Sequence, residues 1–340
     1  MNRNRVNKKR MGGARVLSRA AAGMLAAALC FQPMTALAGP AGDSSLTSSS
    51  SNAGPGGGSG SSNSGSTGSS GGSTSVSNGS VSAVTSGLGV YRVTENEGIG
   101  AIARGVDVSY WQQNVNWSQV ASDNVQFAML ATRFRGNVDP FFAMNAANAS
   151  QAGLRLGAYI YSYATSVEMA QQEADFVLNL IKDYPISFPV VFDAEDANTL
   201  GTLTQSQVSD VINAFCKRIQ DAGYYPMVYT NDYWINNKID MTKVHYDVWI
   251  ARYNSKPTYQ GAALWQASNQ GTVNGINGNV DINFTFKDLS SKLPANRWRL
   301  IGDKWYYYKN YVKQTGWIND GQSWYYMNSD GTQYKGWLLL

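Results

Sequence analysis

The chain has 340 residues, 27 Lys+Arg against 23 Asp+Glu, one histidine and two cysteines. A lone histidine, His245, excludes a His-rich metal site and most Ser/His/Asp designs, and two cysteines allow at most one disulfide. Aromatic residues make up 12% of the chain, with 10 Trp and 20 Tyr, a share suited to carbohydrate or quaternary-amine surfaces.

Residues 1–38 read as a secretory signal peptide. Seven basic residues precede Ala20, the apolar stretch Ala20–Phe31 follows, and Ala36-Leu37-Ala38 supplies a small-residue cleavage site. The stretch is too short to be a transmembrane anchor, which needs about 20 apolar residues. Without this leader the remaining 20 bases and 23 acids give a net charge of −3. The basic balance therefore belongs to the leader, and nucleic acid is not expected as a partner. Cys30 leaves with the leader, and Cys216 is then the only mature thiol. Residues 39–97 form a second expected unit, a linker dominated by Ser and Gly up to about Ser86. Such a composition cannot bury enough apolar area to offset its conformational entropy, so it reads as a flexible tether.

Between residues 98 and 290 short apolar runs alternate with amphipathic stretches, the texture of parallel strands joined by crossover helices. The predicted strands are Gly105–Val108, Phe127–Thr132, Leu156–Ser162, Val190–Glu195, Met227–Thr230, Val248–Ala251, Ala263–Gln266 and Val280–Asn283. Helices are predicted over Pro140–Ala152, ending at Gly153, and over Val167–Ile181, with Thr165 and Glu168 as a capping box. A third is predicted over Gln205–Ala222, closed by Gly223. Eight strands in under 200 residues, the later ones too closely spaced for a full helix in each gap, predict an α/β fold: a small TIM-like barrel with five helices and a β-rich end.

The acids converge on one end of that barrel. Asp107 ends the first strand, Asp193 and Glu195 the fourth, Trp265-Gln266 the seventh, and Asp281 is assigned to the end of the eighth. C-terminal strand ends form the active face of parallel barrels. Alternate strand residues share a side, so Asp193 and Glu195 are expected to face the mouth together, about 6.6 Å apart along the backbone. Close like charges disfavour joint ionisation, so one carboxyl keeps its proton while another stays anionic. Glycosidic bond cleavage needs that combination. The spacing by itself leaves open whether the second carboxylate acts as nucleophile or activates water. Tyr161, Tyr229 and Trp265 are candidate platforms for sugar faces. A thiol–imidazole dyad of Cys216 and His245 is a weaker reading, because Cys216 lies mid-helix and His245 in a loop.

These residues resemble glycoside hydrolase family 25, lysozymes that cleave peptidoglycan between N-acetylmuramic acid and N-acetylglucosamine. The resemblance spans about residues 103–286. It rests on Gly105-Val106-Asp107-Val108-Ser109-Tyr110-Trp111-Gln112, on Ala152-Gly153-Leu154-Arg155-Leu156-Gly157-Ala158-Tyr159 and on Phe192-Asp193-Ala194-Glu195. Tyr229-Thr230-Asn231, Leu264-Trp265-Gln266 and Gly278-Asn279-Val280-Asp281-Ile282-Asn283 complete it. It implies an incomplete β/α barrel with Glu195 as general acid, a carboxylate cluster completed by Asp107, Asp193 and Asp281, and no cofactor or metal. One departure is Tyr159-Ile160-Tyr161, where family members often place His after the tyrosine.

Residues 295–340 form the last expected unit. Trp305-Tyr306-Tyr307 recurs as Trp324-Tyr325-Tyr326, 19 residues on, and Gly316-Trp317 as Gly336-Trp337, 20 residues on. Fixed periods with Asn-Asp-Gly-type turns predict stacked β-hairpins in a solenoid-like module. They resemble choline-binding or glucan-binding repeats, which implies aromatic sites at Trp317, Trp324 and Trp337 and a partner such as choline-bearing teichoic acid or glucan. The expectation is a secreted, wall-associated peptidoglycan hydrolase; the alternative is a non-catalytic wall-binding protein that uses the barrel as a sugar-binding scaffold.

Overall fold

The computed structural model describes residues 83–92, 98, 100–253 and 255–336. The expected signal peptide, most of the expected linker and Trp337 lie outside the described residues. Residues 83–92 of that linker correct the expectation of a tether: Ala83–Ser86 pairs with Gly89–Arg92 as an antiparallel hairpin, and Leu88 and Tyr91 are buried among core residues. Eight strands close into a barrel: β1 Ala103–Val108, β2 Phe127–Ala131, β3 Arg155–Tyr161, β4 Ile186–Asp193, β5 Pro226–Asn231, β6 Asp247–Ala251, β7 Ala262–Gly271 and β8 Val280–Thr285. Neighbours in the chain are neighbours in the barrel, and β1 through β7 run parallel. The eighth strand is antiparallel to both β7 and β1, which corrects the expectation that Asp281 ends it. Asp281 is its second residue and still reaches the mouth, because β8 starts where β1 finishes. The link from Gly271 to Val280 is too short for the crossover that a parallel return requires.

Five α-helices occur among the described residues: α1 Trp117–Ser122, α2 Phe142–Gln151, α3 Val167–Ile181, α4 Gln205–Asp221 and α5 Asp232–Asn237. Helix α3 begins as predicted but is capped by Ser166, whose side chain accepts the Met169 N–H, so the Thr165–Glu168 box does not form. Val167 is the first helical residue, and that puts Ser166 in the cap position. Helix α4 carries a capping box made by Thr204 and Gln207. Its Cys216 is fully buried, and burial pushes the thiol well above its ordinary pKa, as expected of an inert core residue. His245 is exposed in the loop before β6.

Strand parity divides the apolar residues into two layers. Phe127, Met129, Phe188, Val191, Met227, Trp249 and Leu264 fill the barrel interior. Val106, Val108, Leu130, Ile160, Phe192 and Val228 point the other way, into the layer shared with Val177, Phe215 and other helix residues. Gly105 makes the interior possible: a Cβ there would lie 2.2 Å from the Phe127 ring, which stacks on Phe188 at 4.5 Å.

After the barrel come a three-stranded meander, β9 Arg297–Ile301, β10 Lys304–Lys309 and β11 Val312–Lys313, and a hairpin, β12 Gly316–Asn319 with β13 Trp324–Met327. The first is seated on the barrel end opposite the mouth. Ile301, Tyr306 and Tyr308 belong to the layer between barrel and helices. The Tyr308 hydroxyl donates to the Lys182 carbonyl at 2.7 Å. The guanidinium of Arg299, 1% exposed, is held between the rings of Tyr224 and Tyr308 at 4.0 and 4.1 Å.

Candidate active site

A cleft of about 500 Å³ opens at the C-terminal ends of the parallel strands. The inward parity that puts Ala103 in the barrel core also turns Asp107 inward, and Val191 likewise predicts Asp193. Asp107, Asp193, Glu195 and Asp281 all line this cleft. Strand β4 ends at Asp193, so Glu195 is not a strand residue as expected; it lies two positions into the loop. The Ala194 N–H still donates to the Tyr229 carbonyl at 2.8 Å, which keeps the backbone extended and brings Glu195 to the same side.

Asp107 is surrounded by oriented donors. Its Oδ2 accepts from Asn283 Nδ2 at 2.7 Å and from Gln266 Nε2 at 3.0 Å. The Asn283 amide cannot turn its oxygen to Asp107 without facing its NH2 to the Trp249 indole, which can only donate. Gln266 Oε1 already accepts from the hydroxyls of Tyr229 and Tyr253, both at 2.9 Å, and Asn283 Oδ1 accepts from the Trp249 indole N–H at 2.9 Å. Burial raises the Asp107 pKa and these donors oppose the rise. Asp281, opposite Asp107 in the ladder, is pushed up to about 9 by burial, by the charge of Asp107 and by a hydrogen bond to it. Asp281 therefore holds the proton of the pair and donates it to Asp107.

The second pair is similarly short of positive charge. Burial, then the charges of Glu195, Asp107 and Asp196, hold Asp193 well above the carboxylate range. Asp193 Oδ1 is buried without a hydrogen-bond partner. Glu195 is raised by burial and by the charges of Asp107 and Asp196. Arg133 stands at the wall, but it is committed to Glu173 at 2.7 Å and to the Tyr161 carbonyl. With Arg133 committed to other partners, burial and mutual repulsion shift both acids toward their protonated forms. The arrangement offers a proton donor and an anion to one bound molecule.

Tyr161 and Tyr229 line the cleft as expected. Trp265 does not. It is 1% exposed in the outer layer, close to Phe284 and Phe286, with its indole N–H on the Arg252 carbonyl at 2.8 Å. Strand parity sends Gln266 inward and Trp265 outward, so the platform assignment is corrected to core packing. Trp317 and Trp324 are 52% and 66% exposed on the C-terminal hairpin, whereas Trp337 lies outside the described residues. Sequence reasoning missed Asn283 and Gln266 as donors, Tyr253, and the rim residue Trp111, 67% exposed. Inward parity was the available signal for the first two.

A family model for glycosyl hydrolases family 25 matches residues 106–276, and a cell wall binding repeat model of the choline-binding type matches residues 296–310 and 315–332. The uncharacterized protein YegX of Escherichia coli O157:H7 is 33% identical over 201 residues, covering 56% of this chain and 72% of that protein. Lysozyme M1 of Streptomyces globisporus is 31% identical over 209 residues, covering 56% and 70%. Among solved structures, that of the CTP1L endolysin is 26% identical with a TM-score of 0.48, covering 56% of this chain and 68% of that one.

Proposed function

The chain belongs to glycosyl hydrolase family 25 and is a glycosidase, and from that membership we propose that it is a secreted peptidoglycan hydrolase cleaving the β-1,4 bond between N-acetylmuramic acid and N-acetylglucosamine. Glu195 is the general acid, and Asp193 orients the N-acetyl group of the sugar whose bond breaks. The observation that carries this reading is the convergence of Asp193 and Glu195, two residues apart, on one cleft in which burial raises the pKa of both. Asp193 lines the cleft, and its carboxyl accepts an amide N–H of the substrate there. That contact favours the anionic form of Asp193 and aims the acetyl oxygen at the anomeric carbon.

Bond cleavage then needs one proton and one electron pair. Glu195 gives its proton to the glycosidic oxygen as the carbon–oxygen bond breaks, and the acetyl oxygen closes on the anomeric carbon. Glu195, now anionic, takes a proton from the water that opens the cyclic intermediate, which restores the acid and retains the anomeric configuration. Asp107, hydrogen-bonded by the protonated Asp281, adds negative potential beside the developing oxocarbenium charge. The exposed aromatic residues of the C-terminal repeats hold the enzyme to choline-bearing wall polymers by cation–π attraction.

The test is release of reducing sugar from purified peptidoglycan by the wild type and by Glu195→Gln. Activity is expected only in the wild type. Equal activity in both removes Glu195 as the acid, and inactivity in both favours the non-catalytic scaffold. Inversion at the anomeric carbon, followed by NMR, removes the assisted route. Elution from choline-agarose by free choline tests the wall attachment.

A further inference from the structure

Strand β2 leaves the barrel into a small hairpin at the cleft rim, Arg133–Phe134 paired with Asn137–Val138. Its two connecting residues, Arg135 and Gly136, both have positive φ, 48° and 80°. That is the type I′ turn of two-residue hairpins, which favours Asn followed by Gly. Glycine sits where it is expected; arginine does not. A non-glycine, unbranched but long side chain is kept here against the backbone preference, and backbone outliers of this kind gather where a side chain has a task.

The setting supplies a task. Phe134 stacks on Tyr110 at 4.1 Å, and the Arg135 guanidinium lies 5.1 Å from the Phe134 ring centre. Asp139 locks the base of this hairpin by accepting the N–H groups of Tyr110 and Phe141 at 2.6 and 2.9 Å. A guanidinium resting on a fixed ring keeps its donor fork pre-organised. Arg135 lines the cleft, is exposed, and pairs with no carboxylate among the described residues, whereas Arg133 two positions earlier is committed to Glu173.

We infer that Arg135 is a specificity-determining residue that reads a carboxylate on the peptide stem of the substrate. The inference rests on the peptidoglycan reading above and deepens it. The alternating N-acetyl sugars of the glycan backbone are uncharged, so a rim cation has nothing to pair with along the sugar chain. The peptide attached to the lactyl group of muramic acid carries free carboxylates, and a planar guanidinium suits them.

The test uses the full chain in a Glu195→Gln background, so that binding is read without cleavage. Isothermal titration compares two soluble muropeptides, identical except for a free α-carboxylate or a carboxamide in the stem. With Arg135 present, the carboxylate form binds about two- to fivefold more tightly, the range expected of an exposed ion pair. Arg135→Asn abolishes this preference while leaving Tm equal or higher, since Asn suits the turn. Arg135→Lys retains part of it. In the cleaving enzyme the Asn change raises KM for the carboxylate substrate and leaves kcat unchanged. Equal affinity for both muropeptides with Arg135 present, or a preference that survives Arg135→Asn, overturns the assignment. If the wild type cleaves neither substrate while the binding preference holds, the muramidase reading falls and the role of Arg135 stands.

Discussion

Asp107 and Asp281 face each other directly across the antiparallel β1–β8 pair, and their side chains share a hydrogen bond at the floor of the cleft. Because two amide groups donate to Asp107, the shared proton resides on Asp281. An acid whose folded pKa is raised contributes stability that is fully present below its unfolded pKa and lost as pH rises through the folded value. For Asp281 that window runs from about the ordinary 3.8 up to about 9.

Asp281→Asn replaces the acid with a neutral group that can still donate to Asp107. Its stability relative to the wild type is expected to grow steadily as pH rises from 4 to 9. Thermal unfolding at a series of pH values reads this directly. A difference that stays constant with pH refutes the proton assignment.

Glu195 must enter the reaction protonated, so kcat/KM falls as pH rises through its raised pKa. Asp196 is one of the charges that raise it. Asp196→Asn is expected to move the basic limb of the pH–rate profile toward lower pH. Glu195→Gln is expected to cost about 10²–10⁴-fold in kcat. An unmoved basic limb in Asp196→Asn shows that this charge does not act on the acid.

Neighbouring residues of β7 separate packing from chemistry. Trp265→Ala empties a buried site and should cost about 3–5 kcal/mol of stability. Gln266→Leu removes the donor to Asp107 and the acceptor of two tyrosine hydroxyls; it is expected to lower kcat well beyond any effect on KM. Denaturant titration and steady-state kinetics on the two variants distinguish the roles. A kinetic defect in Trp265→Phe as large as that of Gln266→Leu contradicts the outward placement of the indole.

The first C-terminal meander shares apolar packing with the barrel through Ile301, Tyr306 and Tyr308. Calorimetry of the full chain should therefore show barrel and meander unfolding in one transition. Ending the chain before residue 295 should lower the Tm of the barrel by exposing that face. Two separate transitions, or a truncated barrel of unchanged Tm, would contradict this coupling.

The eight strands were legible because each is a short apolar run bounded by turns, and the helix ends because Gly153 and Gly223 stop them with positive φ. Strand direction was harder. The sign of β8 depends on the length of one link, and apolar content is the same for either direction. Trp265 was misread for a related reason: an aromatic residue beside a site is a plausible platform on chemistry alone, and only register says which side it faces. Asn283 and Gln266 left little trace, since an amide becomes a directed donor only when something else occupies its oxygen, here Trp249 and two tyrosines. The family resemblance named the four carboxylates that line the cleft, because each lies in a contiguous sequence block.

The clasp of Tyr224 and Tyr308 around Arg299 has a geometric corollary. It fastens the start of the repeats beneath Ile186, while Asp193 at the other end of the same strand faces the mouth. Roughly 20 Å of β-strand separates the two. The first repeat strand is thereby moored at the foot of the barrel, about one strand length from the rim where the carboxylates gather.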